Sequence, residues 1–357
     1  MKLGIVGLPN VGKTTLFNAL TGSRAETGSY TNAAAKPNIG TAKVPDERLD
    51  WLAEYYHPKK YTPATIDFVD VPGVASGGKG NEVFQAIRQV DALVEVVRCF
   101  DDEGIFLESA DAVRDAESFD LELILADIEI VERRLERAKK NAKSGEKKYK
   151  RECEMCQELI AHLEQEKPAR DFPFTEEDKD ILADGGLLSV KPVIYVANLD
   201  EDGMSHYAED ANFKALTAFA RDRGAAVLPV AAKFEEDIAE LDPEEAQMFM
   251  EDMGLTETGL DRLIRTSYDL LGYISFLTAG EDDVHAWTIV KGTKAPRAAG
   301  KVHTDIERGF IRAEIVAFED LKACGSMAAV KEKGLFRLEG KDYVMQDGDV
   351  TMFRFNI

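Results

Sequence analysis

Apolar residues follow two rhythms along the chain. Short continuous runs at Leu3–Val6, Thr65–Asp70, Ala92–Phe100, Val193–Ala197 and Ala226–Val230 read as buried strands. Helical stretches separate them, and polar residues gather after their carboxyl ends. This alternation predicts an α/β fold with a doubly wound parallel sheet. From Leu121 the pattern changes: Leu121, Ile124, Ile128, Val131, Leu135, Ala138 and Ala142 keep a strict three–four spacing. It resumes after Ser144-Gly145 at Tyr149, Cys153, Cys156, Ile160 and Leu163. Two such seams joined by a Ser-Gly turn predict an inserted antiparallel helical hairpin, closed by Pro168. From about residue 279 the apolar segments shorten to Trp287–Val290, Gly309–Val316, Asp342–Met345 and Val350–Phe355, between glycine-bearing turns. A small mixed sheet is expected there. The expected domains are therefore 1–120 with 185–278, 121–184 and 279–357.

The first strand runs into Gly7-Leu8-Pro9-Asn10-Val11-Gly12-Lys13-Thr14, which fits G-x-x-x-x-G-K-[ST] and precedes a helix start at Thr15 to Leu20. That strand–loop–helix setting identifies a phosphate-binding loop. Its glycines let successive N–H groups point at phosphates, and the helix N-terminus adds partial positive charge. Lys13 would reach the outer phosphates, and the Thr14 hydroxyl would help hold Mg2+. Asp70-Val71-Pro72-Gly73 adds a D-x-x-G at a strand end, placing Asp70 near the metal and the Gly73 amide near the terminal phosphate. The candidate catalytic residues are Lys13 and Gly73, and the candidate metal ligands are Thr14 and Asp70.

Asn198-Leu199-Asp200-Glu201 stands where guanine-specific switch proteins carry N-K-x-D. Leu199 replaces the lysine, and Glu201 takes the Asp position with one extra methylene. A carboxylate displaced by ~1.5 Å loses its paired hydrogen bonds to guanine. A buried partner left unpaired costs ~1–3 kcal/mol. Asn198 can present its amide to the N6/N7 edge of adenine. ATP is favoured, with Asn198 and Glu201 on the base side and Ala232 in the turn after Ala226–Val230. Asp200, one position early, keeps a guanine reading open.

Composition narrows the classes. Among 357 residues, 66 acidic and 44 basic side chains give a net charge of −22, which disfavours nucleic acid on most of the surface and sequence-specific DNA binding with it. Yet Arg133 to Arg151 holds ten Lys or Arg and only Glu136 and Glu146, a local +8. Such a projection can dock on a phosphate-rich partner; a solvated helix face is the plainer explanation. Lys291, Lys294, Arg297 and Lys301 form a second basic group on an expected loop, Gly292 to Gly300. Cys153-x-x-Cys156 has no second pair and falls on the apolar stripe, so packing explains it. No apolar run is long enough for a membrane span, and the N-terminus reads as a strand, not a signal peptide. A cytoplasmic protein is expected.

These residues resemble the Obg-related ATPases of the YchF group. The likeness runs through the phosphate loop, Lys36 to Gly40, Val44-Pro45-Asp46-x-Arg48-Leu49, Asp70 to Gly73, Asp91 to Phe100 and Asn198 to Glu201. It continues through Thr278 to Glu281, Ala286-Trp287-Thr288, Gly300-x-x-His303-x-Asp305 and Gly348 to Phe355. It implies a cytosolic Mg2+-dependent ATPase of three domains that associates with ribosomes, with a C-terminal β-grasp (TGS) domain. Asn10, Val11, Gly12, Lys13, Thr14 and Thr15 carry over as nucleotide contacts, and Leu199 carries over on the base side. With the basic tip, it makes Lys139, Lys140, Lys143, Lys147, Lys148 and Arg151 candidate contacts to the ribosome or its RNA. Two positions depart from the family pattern: Ala34 replaces a switch-loop threonine, with Thr31 three residues earlier, and Leu107 replaces a histidine. Val74 follows Gly73 where many GTPases carry a water-orienting Gln. Slow hydrolysis is expected, with a partner or a K+ ion near Asn10 supplying the missing charge. The loops at residues 28–40 and 73–82 would reorder with the γ-phosphate. A GTPase of the Obg class and an ATP-binding adaptor with negligible turnover remain as alternatives.

Overall fold

The computed structural model describes residues 2–25, 37–72, 81–102, 104–182, 185–252 and 255–356. Thr31, Ala34, Gly73, Val74 and the segment 76–80 lie outside the described residues. The chain forms two compact units, Met1–Thr41 with Asp67–Arg262, and Ala42–Ile66 with Leu263–Ile357. The sequence boundaries differ: residues 42–66 and the strand before 279 were expected in the α/β domain.

The sheet of the first unit contains β1 (Lys2–Val6), β2 (Asn38–Lys43), β4 (Thr65–Asp70), β5 (Ala92–Arg98), β6 (Val193–Asn198) and β7 (Ala226–Val230), in the order β2-β4-β1-β5-β6-β7. β1 lies parallel between β4 and β5, and β6 and β7 continue the parallel set. Strand order reverses at β1, so its carboxyl end opens at a switch point, where such sheets bind ligands. Every residue of β5 and β6 is buried, as expected of a sheet covered on both faces.

The hairpin is present, but its first helix starts at Ala112 and runs unbroken for 30 residues to Asn141, about 45 Å at 1.5 Å per residue. Asp111 caps it by accepting the Arg114 N–H at 3.0 Å. Ala112, Ala116, Phe119 and Leu123 pack into the core of the α/β sheet, so no break falls at residue 121. Leu121 is exposed, off the expected seam. The return helix Lys147–Leu163 buries Met155, Cys156, Leu159 and Leu163, with Cys153 and Ile160 beside that line. On the first helix Ile124, Val131, Leu135 and Ala138 keep the expected spacing, with Ile128 beside them; on the return helix Cys156 and Leu163 keep it, while Met155 and Leu159 are buried more deeply than Cys153 and Ile160.

Carboxylates fasten the hairpin root. Asp127, wholly buried, accepts the Leu188 N–H at 2.7 Å, the Ser189 N–H at 2.8 Å and the Ser189 hydroxyl at 2.7 Å. Arg170 pairs with buried Asp120. Glu95 lies nearby, its carboxyl pKa pushed well up by burial, with Asp120 adding to the rise and Arg170 opposing it. The Tyr195 hydroxyl, also buried, has no hydrogen-bond partner among the described residues.

The second unit carries the expected mixed sheet in a larger form. It contains β3 (Lys60–Thr62), β8 (Tyr273–Ala279), β9 (Asp283–Val290), β10 (Phe310–Ala317), β11 (Arg337–Glu339) and β12 (Asp349–Phe355), in the order β11-β10-β12-β8-β9-β3. β8 and β9 form an antiparallel hairpin from Tyr273–Val290 to Ala279–Val284, so the strands of the C-terminal segment begin at Tyr273 and not at 279. β3 adds to β9 in parallel, which brings residues 42–66 into this unit. Asp342–Met345 forms no strand; Val344 makes one isolated bridge to Lys294. The expected loop Gly292 to Gly300 contains a helix, Ala295–Val302, with Pro296 in its first turn. There Lys294 pairs with Asp342 and Arg297 with Glu307. His303 caps the next turn by accepting the Asp305 N–H. No helix among the described residues is long and apolar enough to cross a membrane.

The acidic stretch from Glu235, which reads as a solvated flank, hides one buried carboxyl. Glu235 is 3 % exposed, and its Oε1 accepts the Gly259 N–H at 2.6 Å. Burial pushes its pKa up to about 7 from 4.5, against the Gly259 N–H and the Arg262 charge and with Asp261. The folded state holds this proton more tightly than the unfolded chain does. Its stabilising effect is full below pH 4.5 and is lost as pH rises through about 7. Glu235→Gln is expected to flatten that loss, which amounts to about 3 kcal/mol in full. Denaturant unfolding of both proteins at pH 5 and pH 8 checks this.

Candidate nucleotide-binding site

The chain leaves β1 through Gly7 and reaches the helix Lys13–Thr21 at Gly12. Both glycines are sterically required. At Gly7 (φ +135°) a Cβ would lie 2.5 Å from the Val96 carbonyl oxygen, and at Gly12 (φ +97°) 2.4 Å from Asn198 Nδ2. Asn10, with φ 64°, takes the left-handed conformation that Asn tolerates best among side chains other than Gly. Val11 is buried beneath the loop, and Thr15 is half-buried in the first helical turn.

Lys13 is buried and donates to the Leu8 carbonyl across the loop at 2.5 Å. Burial pushes its pKa down to about 8, and the Asp70 charge opposes this. Thr14 Oγ1 donates to Asp70 Oδ2 at 3.0 Å, bringing together the two expected metal ligands from positions 56 residues apart. Burial raises the Asp70 pKa against Thr14, Lys13 and Asn38. Among the described residues no three His, Cys, Asp or Glu side chains gather as a metal site. A hydroxyl and one carboxylate beside a phosphate cradle is nevertheless a donor set that suits Mg2+, which takes its remaining oxygens from phosphates and water.

The base side differs from the sequence reading in one respect. Asn198 Nδ2 donates to the Val11 carbonyl at 2.9 Å, and Asn198 Oδ1 accepts the Ala232 N–H at 3.0 Å. This buried amide braces the phosphate loop against the turn after β7, so its acceptor is not free for an adenine edge. Leu199 is buried, and its N–H donates to the Val230 carbonyl. Asp200 caps the helix Glu201–Ser205, its Oδ1 accepting the Gly203 N–H at 2.7 Å. Glu201 is exposed in the first turn.

Residues 2–148 match a family described as 50S ribosome-binding GTPase, and residues 273–356 match the YchF-type C-terminal domain, described as a protein of unknown function. The chain is 49 % identical to the ribosome-binding ATPase YchF of Bacillus subtilis (strain 168), over 99 % of both chains. It is 42 % identical to the protein of that name from Haemophilus influenzae, over 100 % of this chain and 99 % of the other. The chain belongs to the YchF family. The solved structure of the Schizosaccharomyces pombe YchF GTPase superposes with a TM-score of 0.87 at 34 % identity, covering 99 % of this chain and 97 % of that one. The fold described above is therefore that of the YchF family.

Four of the six candidate contacts on the hairpin, Lys140, Lys143, Lys147 and Lys148, are exposed without an ion pair among the described residues. Lys139 is exposed and pairs with Glu136 at 2.9 Å. Arg151 is different: it makes a two-pronged bond to Asp178 at 2.9 and 2.8 Å and lowers that carboxyl's pKa to about 2. It fastens the hairpin and is not a free contact residue. Sequence reasoning also missed Arg98 and Asn18. Asn18 holds both the N–H and the carbonyl of Ala25, fixing the chain just after the first helix. Arg98 carried a readable signal, a cation ending a strand that is apolar apart from Glu95.

Proposed function

We propose that this chain is an Mg2+-dependent, ATP-binding switch that hydrolyses ATP slowly and associates with the ribosome. The observation that carries the choice of nucleotide is the fate of the Asn198–Glu201 segment. Asp200, the carboxylate closest in sequence to the guanine-reading position, is used as a helix cap, and a buried leucine stands where the lysine would be. The Bacillus and Haemophilus relatives are named ribosome-binding ATPases, which supports the same reading, whereas the fission-yeast structure is titled a GTPase.

In this reading Lys13 and the loop amides hold the phosphates, and Thr14 with Asp70 holds Mg2+. The ion supplies positive charge where the outer phosphates gather negative charge. Asn198 keeps the phosphate loop and the base turn in one register. Val74 has no group to orient water, so the remaining charge comes from a partner or from K+ beside Asn10, and intrinsic turnover is slow. The exposed lysines of the hairpin tip form the RNA-facing surface.

Calorimetric titration of nucleotide-free protein with non-hydrolysable ATP and GTP analogues in Mg2+ buffer tests the choice. ATP is expected to bind at least tenfold more tightly, ~1.4 kcal/mol. Asp200→Ala should leave that ratio unchanged while costing about 1 kcal/mol of helix capping. Equal or tighter GTP binding that depends on Asp200 would establish the GTPase reading instead.

A further inference from the structure

The loop between β5 and the helix Ala112–Asn141 is tied at many points, yet shows apolar side chains to solvent. Its ends are closed by the Ala110 N–H donating to Asp101 Oδ1 at 2.7 Å. Its turn is set by Asp102, whose carboxylate accepts the Gly104 N–H at 2.9 Å and whose carbonyl accepts the N–H groups of Ile105 and Phe106. Arg98, the buried last residue of β5, donates to the Glu108 and Ser109 carbonyls at 3.1 and 3.2 Å. Its guanidinium lies 3.9 Å from the centre of the Phe106 ring. Phe106 thus turns inward, toward Arg98 and Phe100, and Arg114 pairs with Glu108 at 2.8 Å from the next helix. On either side of Phe106 the pattern inverts: Leu107 is fully exposed and Ile105 more than half exposed.

We propose that Ile105 and Leu107 form a docking knob for a protein partner whose contact surface is an apolar pocket rimmed by lysine or arginine side chains. Charge decides the class of partner. Residues 101–111 carry Asp101, Asp102, Glu103, Glu108 and Asp111 and no Lys or Arg. An RNA phosphate surface would be repelled here, whereas it is drawn to the hairpin tip, whose local charge is of opposite sign. A basic-rimmed protein pocket meets both features at once, covering the apolar apex and pairing the carboxylates around it. Because the loop is already tied in place, little ordering is needed on binding, so a small apolar contact can carry useful affinity. The knob follows the carboxyl end of β5, beside β1 and β6, whose carboxyl ends carry the phosphate loop and Asn198. A partner seated there is brought to the nucleotide edge of the sheet, where the chain's own residues leave hydrolysis slow. The inference rests on the ribosome-associated reading for its setting: the lysine tip takes RNA, and the knob takes a protein of the same particle.

The test uses the full chain, ATP and purified ribosomes. A benzophenone side chain placed at position 107 is expected to cross-link to ribosomal protein, at a segment rich in Lys or Arg. Leu107→Asp is expected to weaken ribosome co-sedimentation at least tenfold with ATP affinity unchanged, and Leu107→Met to keep it. Since Leu107 is fully exposed, neither change removes a contact on which folding depends. Cross-links to RNA, cross-links to a second copy of this chain, no cross-links, or unchanged binding by Leu107→Asp would each overturn the proposal. Glutamate at Lys140, Lys143, Lys147 and Lys148 together separates the two levels. If that variant loses ribosomes while Leu107→Asp keeps them, the knob fails and the wider reading stands. If the unaltered chain does not bind ribosomes, both fall.

Discussion

Lys13→Ala is expected to lower multiple-turnover phosphate release from ATP by at least about 100-fold, the usual scale for removing one preorganised charge from a transition state. The residue is already inside the loop before any nucleotide arrives, buried and bonded to the Leu8 carbonyl at 2.5 Å. Binding therefore requires only an exchange of acceptors, from a carbonyl to a phosphate oxygen. Its pKa of about 8 leaves it charged at neutral pH. Above pH 8 the free protein releases that proton, and a bound phosphate must draw it back. Affinity for ATP should consequently weaken as pH rises beyond about 8, and Lys13→Ala should abolish that pH dependence. The same variant decides between enzyme and adaptor. If the unaltered chain and Lys13→Ala release phosphate at equal rates, the chain binds ATP without turning it over.

Local chemistry was legible in the sequence where short-range geometry demands particular residues. Gly7 and Gly12 are forced by their conformation and by the closeness of Val96 and Asn198. The Thr14–Asp70 contact follows from strand β4 lying beside β1. What stayed hidden depends on pairings between distant segments. β3 is three residues long, and its partner β9 lies more than 200 residues later, so no local periodicity announces that residues 42–66 join the second unit. β8 was hidden for another reason: only Leu271 and Gly272 separate it from the preceding helix, Gly259–Leu270. Buried carboxylates were the second blind spot. Nothing in the sequence singles out Asp120, Asp127 or Glu235, because a polar residue on a helix looks alike whether it faces water or a cluster of N–H donors. Arg151 was misjudged for the same reason: its partner Asp178 comes from beyond the hairpin's return helix.

Asp127→Ala is the most damaging single change expected in the fold. It leaves the N–H groups of Leu188 and Ser189 and the Ser189 hydroxyl without their acceptor, in a place wholly closed to water. Each unpaired buried group costs ~1–3 kcal/mol, and local relaxation recovers part of that, so a loss of about 3–5 kcal/mol is expected. Burial raises the Asp127 pKa while the three donors pull it back, so the site is organised around an anion and not merely around a small side chain. Asp127→Asn, which keeps one acceptor but turns an NH2 toward a donor, should fall between the two. The consequence should be confined to the unit that contains the hairpin root. Trp51 and Trp287, the chain's two tryptophans, both belong to the other unit, so their fluorescence follows that unit, while far-UV circular dichroism is weighted toward the long hairpin helices. In denaturant, Asp127→Ala should move the dichroism transition to lower concentration and leave the fluorescence transition in place. If both transitions move together, the buried clamp stabilises the whole chain cooperatively, and the division of stability between the two units is wrong. If neither moves, the three bonds to Asp127 contribute nothing net, and the hairpin is held by its apolar seam alone.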